Sequence, residues 1–161
     1  MKRRAKSPSG RTRQKPTRQS RPPKPWALRD PEMLGLVFQA FEDLTALRQR
    51  CARKVAGARE EEHIFGHLLW KPDETGLQRW SRISEIVTTS WRVLDQTVRT
   101  NRLDPAQCQE SYRQMLWIRT VWVGLDPQAD SLELLDQITD HLRQVLIRYA
   151  QALGQRRTTL P

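Results

Sequence analysis

The first 25 residues contain no aspartate or glutamate, and the whole chain has only two cysteines, three histidines and seven glycines. Each shortage removes a class of protein. Cys51 and Cys108 lie far apart inside apolar-periodic segments, which excludes a disulfide framework and a cysteine zinc site. They read as small core residues of a reducing compartment. None of the glycines builds a Walker loop, a GxGxxG turn or a nucleophile elbow, so no nucleotide cradle or hydrolase signature is present. No run reaches the roughly 20 apolar residues needed to cross a bilayer, and the basic N-terminus is not followed by the apolar stretch of a secretory signal. Sustained period-two alternation is missing too, which argues against a sheet. The expectation is a soluble, intracellular, all-α protein that is not an enzyme, holds no cofactor and has no membrane partner.

What the chain does have is charge, unevenly placed. Lys2, Arg3, Arg4, Lys6, Arg11, Arg13, Lys15, Arg18, Arg21 and Lys24 precede Trp26, whereas residues 26–161 carry eighteen basic and eighteen acidic side chains. The net charge of +10 therefore belongs to an arm and not to a domain. Such a segment cannot bury enough apolar surface to offset the entropy of ordering, so residues 1–25 are expected to be disordered alone. Its acid-free, Arg-rich composition resembles an organelle transit peptide, but its five prolines, and Ala5 as the lone aliphatic residue between Lys2 and Pro25, argue against the amphipathic helix that such a peptide needs. Arg21-Pro22-Pro23-Lys24-Pro25 favours extended polyproline geometry ahead of an anchor at Trp26. Lys2-Arg3-Arg4-Ala5-Lys6 also fits a short nuclear-localisation pattern, and phosphate on Ser7 would neutralise part of the arm.

The remainder reads as a linker over 26–30, a bundle over 31–154 and a flexible tail over 155–161. Asp-Pro recurs at 30–31, 104–105 and 126–127. In this pair the carboxylate accepts from free helix-start amides, and proline at the first helical position loses no hydrogen bond. Capping boxes are expected at Asp104 with Gln107 and at Asp130 with Glu133. The spacing predicts a helix from Pro31 to about Ala56 that is interrupted by Gly57. Its apolar face is Leu34, Val37, Phe38, Phe41, Leu44, Leu47, Cys51 and Val55.

A short helix from Arg59 to Trp70 should end before Pro72. A third helix should begin at Asp73 or Thr75 and run to Thr100, with Leu77, Trp80, Ile83, Ser84, Val87, Trp91, Leu94 and Val98 on one face. A fourth is expected from Pro105 to Val123, stopping at Gly124. The fifth spans Ser131 to Leu153, stopping at Gly154, and buries Leu132, Leu135, Ile138, Leu142, Val145, Leu146, Tyr149 and Leu153. Short connections make neighbours antiparallel, giving a bundle of four long helices and one short one.

Four groups of residues carry candidate chemistry. In the fourth predicted helix the apolar residues run almost all the way around, with Trp117 and Val121 turned away from Cys108, Tyr112 and Met115. That pattern fits either a partner interface or burial under a neighbouring segment. Arg48 and Arg119 interrupt apolar faces and call for an internal carboxylate or a phosphate. Arg48, Arg50, Arg53, Lys54 and Arg59 cluster near the end of the first helix, and Arg143, Arg148, Arg156 and Arg157 follow the last acid. These cations complement helix dipoles, and would form one nucleic-acid track if the two ends lay side by side. His63 and His67, one helical turn apart beside Glu60, Glu61 and Glu62, have metal-compatible spacing without HExxH order or a third ligand, so an exposed polar face is expected.

A basic arm on a neutral, Trp-rich helical body is similar to viral and phage nucleic-acid packaging proteins and to small helical subunits of RNA-guided effector complexes. The likeness is one of architecture, without a shared motif. It implies a non-enzymatic nucleic-acid-binding subunit of a ribonucleoprotein or nucleoprotein assembly. Phosphates would be held by the ten arm cations with Arg50, Arg53, Lys54, Arg148, Arg156 and Arg157, and a protein partner or second copy by Trp117 and Val121. RNA or a single strand is slightly favoured over duplex DNA, because no helix-turn-helix or basic-zipper pattern is present. The alternative is a helical adaptor or regulator whose arm serves only as an address or solubilising segment.

Overall fold

The computed structural model describes residues 25–65 and 74–158. The ten arm cations, His67, Trp70 and residues 159–161 lie outside them. Within the described residues the chain is mostly helical: α1 (Pro31–Phe65), α2 (Gly76–Thr100), α3 (Pro105–Leu125) and α4 (Ala129–Thr158). A two-residue strand pair joins β1 (Trp26–Ala27) to β2 (Arg102–Leu103).

Helix starts follow the local chemistry. The Asp30 side chain accepts from the Glu32 amide at 3.0 Å. Thr75 and Gln78 close a reciprocal capping box on α2. Asp104 accepts from the amides of Ala106 and Gln107, with Pro105 at the first helical position. The helix ends hold surprises. Asn101, at φ 51° and ψ 34°, closes α2 in the left-handed region, which asparagine tolerates better than most residues. No described glycine has positive φ, and accordingly none of them terminates a helix.

Four expectations are corrected. Gly124 does not stop the helix begun at Pro105, which runs on to Leu125. Gly57 does not interrupt the first helix, so there is no separate helix starting at Arg59, and α1 extends for about 50 Å as one rod. Gly154 does not stop the last helix, and residues 155–158, expected in a flexible tail, continue α4. Asp126-Pro127 does not open α4: Asp126 is the C-cap of α3, donating its amide to the Trp122 carbonyl at 2.8 Å. Its carboxylate accepts from the Gln128 amide as the chain turns into α4.

Cross-helix contacts fix the topology. Arg50 reaches Ser131, Asp43 faces His141, and Arg148 meets Asp30 and Glu32, so α1 and α4 are antiparallel. Thr45 accepts from Trp91 Nε1 and Lys54 lies over Trp80, so α1 and α2 are antiparallel. Trp80 meets Trp122, and Arg119 meets Asp136. Among the described residues the result is an up-down-up-down bundle of four helices.

The core is fed by all four helices, including Leu44, Leu47, Ile83, Leu94, Met115, Ile118, Trp122, Leu135, Ile138 and Leu142. Cys51 and Cys108 are both buried free thiols, and burial pushes each up to about 12. Trp122 is fully enclosed and meets Trp80 edge-on with ring centroids 4.8 Å apart. Two aromatic positions depart from the expected faces. Phe38 is 51% exposed, and Trp91 is only partly buried, stacked on Phe41 at 5.6 Å.

Candidate nucleic-acid interface

The two basic clusters lie at opposite ends of the bundle. Because α1 and α4 are antiparallel, Arg50 stands beside the start of α4, while Arg148 stands beside the start of α1. The 17-residue offset between Ser131 and Arg148 along α4 corresponds to about 25 Å. A single continuous track through both clusters is therefore not formed.

At the first end, Arg50, Arg53 and Lys54 line a cleft of 720 Å³ together with Glu61, Asp126 and Asp130. Three cations face three carboxylates, so the cleft is close to neutral. Lys54 pairs with Asp126 and holds its carboxyl below the usual carboxylate range, while Arg50 donates to the buried Ser131 hydroxyl at 3.1 Å. Arg53 and Arg59 are exposed. Exposed His63 sits on the last turn of α1, and the described residues contain no group of three potential metal ligands.

At the second end, Arg148 is committed to Asp30 at 3.5 Å and to Glu32. Arg156 lies 4.1 Å above the Trp26 ring, and Tyr149 meets the same ring edge-on at 5.2 Å. Trp26 is thus clamped between two residues of α4, which fulfils the expected anchor. Arg157 occupies the last turn of α4. Arg143 pairs with Asp140 at 2.7 Å.

The two arginines that interrupt apolar faces find internal partners. Arg119 forms a two-pronged contact with Asp136 at 2.7 and 3.3 Å, joining α3 to α4. Arg48 takes an aromatic face in place of a carboxylate, with its guanidinium 4.3 Å from the Trp91 ring. Flat, weakly hydrated guanidinium stacks well on indole.

Trp117 is 43% exposed, with Leu116 and Val123 similarly open beside it. Val121 is half-buried. Both line a groove between α2 and α3 with Arg79, Arg82, Ile83 and Leu125, and Arg82 sits 6.0 Å from the Trp117 ring. Glu74 pairs with both Arg79 and Arg82 at its rim. Trp117 is therefore not covered by α2. No protein family, curated protein or solved structure compared with this chain matches it.

The pairing pattern was absent from the sequence reading. Among the described residues, the cations with neither an ion pair nor an aromatic or hydrogen-bond partner are Arg29, Arg53, Arg59, Arg92, Arg102 and Arg113. Arg102 had no signal in the periodicity, because what sets it beside the start of the bundle is a strand pair only two residues long.

Proposed function

We propose that this protein is a non-enzymatic nucleic-acid-binding subunit of a larger assembly, with its phosphate affinity concentrated in the N-terminal arm and a second, protein-docking surface at Trp117 and Val121. The observation that carries the reading is charge segregation: ten arm cations without an acid, against residues 26–161, whose charges balance and where Lys54, Arg79, Arg82, Arg99, Arg119, Arg143 and Arg148 each pair with an acid. Paired guanidinium groups must give up a carboxylate before they gain a phosphate, so they add little net affinity. Acid-free cations release condensed counterions for each phosphate contacted. Arg50, Lys54 and Arg148 accordingly have a structural role first in this reading, and the arm has the binding role.

The docking surface rests on Trp117. A large aromatic left open on a helix whose opposite face is buried is the kind of residue that anchors protein interfaces. The adaptor reading keeps this surface and removes nucleic acid from the arm's role.

Titration of the purified full chain with a fluorescent single-stranded RNA oligonucleotide separates the two. Binding that weakens steeply with salt, together with copurifying RNA released by nuclease, is the expected result. A copurifying protein partner that survives nuclease treatment, with no oligonucleotide binding at physiological salt, would establish the adaptor instead.

A further inference from the structure

The point where the arm meets the bundle is a surface in its own right. Trp26 pairs with Leu103 and Ala27 with Arg102 in antiparallel register, and the Leu28 amide extends the pairing to the Asn101 carbonyl at 2.8 Å. Alternation then sorts the side chains: Leu28 and Leu103 are buried, while Ala27, Arg29 and Arg102 are exposed on the outer face. Arg102 stands opposite Ala27, and Arg29 follows two residues after Ala27, just past the end of the strand pair. Both guanidinium groups are free of ion pairs and hydrogen bonds among the described residues.

The nearby carboxylates are occupied. Asp30 caps α1 and pairs with Arg148, Glu32 also takes Arg148, Asp104 caps α3, and Asp95 takes Arg99. The clamp on Trp26 from Tyr149 and Arg156 fixes the chain direction at this spot. Lys24, the last arm cation, precedes Trp26 by two residues.

We infer that Arg29 and Arg102 form a phosphate-binding site for a nucleic-acid strand at the root of the arm, holding the strand against the bundle while the arm holds its continuation. The site deepens the nucleic-acid reading proposed above and rests on it. The strand pair and the Trp26 clamp fix the backbone from which the two arginines project, so little backbone entropy is lost there on binding. Two neighbouring phosphates of one strand are the class of ligand that two unpaired guanidinium groups at the root of the arm would take, each through a planar donor fork.

The test compares full-length wild type with Arg29→Ala/Arg102→Ala on a single-stranded oligothymidylate, measuring the log–log salt slope of the binding constant. Two lost contacts should reduce the slope by about 1.4, at about 0.7 per phosphate on single strands. Arg29→Lys/Arg102→Lys should recover most of that loss. The control Arg92→Ala/Arg113→Ala, which removes the same charge from exposed positions on α2 and α3, should leave the slope near wild type. Circular dichroism and the melting temperature verify folding of each variant. Wild-type binding with an unchanged slope in Arg29→Ala/Arg102→Ala overturns the site alone, as does an equal loss in the control. Absence of oligonucleotide binding by wild type overturns both the site and the nucleic-acid reading.

Discussion

Arm and bundle use the same residue type in opposite ways. In the arm, ten lysines and arginines sit among prolines and polar residues with no carboxylate within the segment. In the bundle, Lys54, Arg79, Arg82, Arg99, Arg119, Arg143 and Arg148 each meet an acid, and Arg48, Arg82 and Arg156 lie over tryptophan rings. Under the proposed function the first arrangement serves a polyanion. In the second, Arg119 joins α3 to α4 and Arg148 joins α4 to α1, while Arg99 and Arg143 pair within their own helices. Net charge alone would not separate these, since it is the pairing of each cation that decides what it is free to bind.

The comparison is tested most severely where the bundle is held together by apolar packing. Trp122→Ala should destabilise the protein by about 3–5 kcal/mol, measured by denaturant unfolding, because a fully enclosed indole against Trp80 leaves a cavity. Oligonucleotide affinity measured at a temperature where the variant stays folded should not change. A next, smaller effect concerns Trp117. Trp117→Ala should cost less than about 1 kcal/mol of stability, given its exposure, while weakening copurification or self-association by about 2 kcal/mol or more. Should it unfold the domain as badly as Trp122→Ala, Trp117 belongs to the core and the docking surface is wrong.

The smallest effect is acid sensitivity at the Lys54–Asp126 pair. The Lys54 ammonium lowers the Asp126 pKa in the folded state, so the stabilisation is present above the unfolded value near 3.8 and is lost as pH falls through the lower folded value. Asp140, hydrogen-bonded by Arg143, acts in the same direction. Asp43 acts in the opposite one: burial raises its pKa, so its contribution is full below 3.8 and is lost as pH rises through the folded value. Melting temperatures of wild type and Asp126→Asn between pH 6 and pH 3, both ranges set by roughly ordinary carboxylate behaviour, should converge toward the acid end. Parallel curves would show that the pair contributes nothing to the acid limb.

Much of this architecture was legible in the sequence, for local reasons. Asp30-Pro31 and Asp104-Pro105 announce helix starts because a carboxylate acceptor and a donor-free proline act within three residues. The stripe of α2 is legible because Trp80, Ile83, Val87 and Leu94 repeat at helical spacing and are buried. Gly57 and Gly154 misled the reading, since glycine ends a helix only where the chain turns left-handed, and neither does so here. That local error had a long-range consequence. With five helices alternating in direction, the first and last point the same way and their basic ends meet; with four they oppose, and the ends separate. Arg48 stacking on Trp91, and the pairing of Ala27 with Arg102, depend on contacts between distant segments and leave no periodic trace.

The central claim, that polyanion affinity resides in the arm and its root, is addressed most directly by one full-length variant with all ten arm lysines and arginines replaced by glutamine. Its binding to single-stranded RNA is measured against salt beside wild type. With about 6–10 phosphates neutralised, wild type should give a log–log slope of about −4 to −7, and the variant should fall to roughly −1 to −2, the share left to Arg29 and Arg102. Circular dichroism and melting temperature should be nearly unchanged. A variant that keeps the wild-type slope and affinity would contradict the account and move nucleic-acid binding onto the bundle.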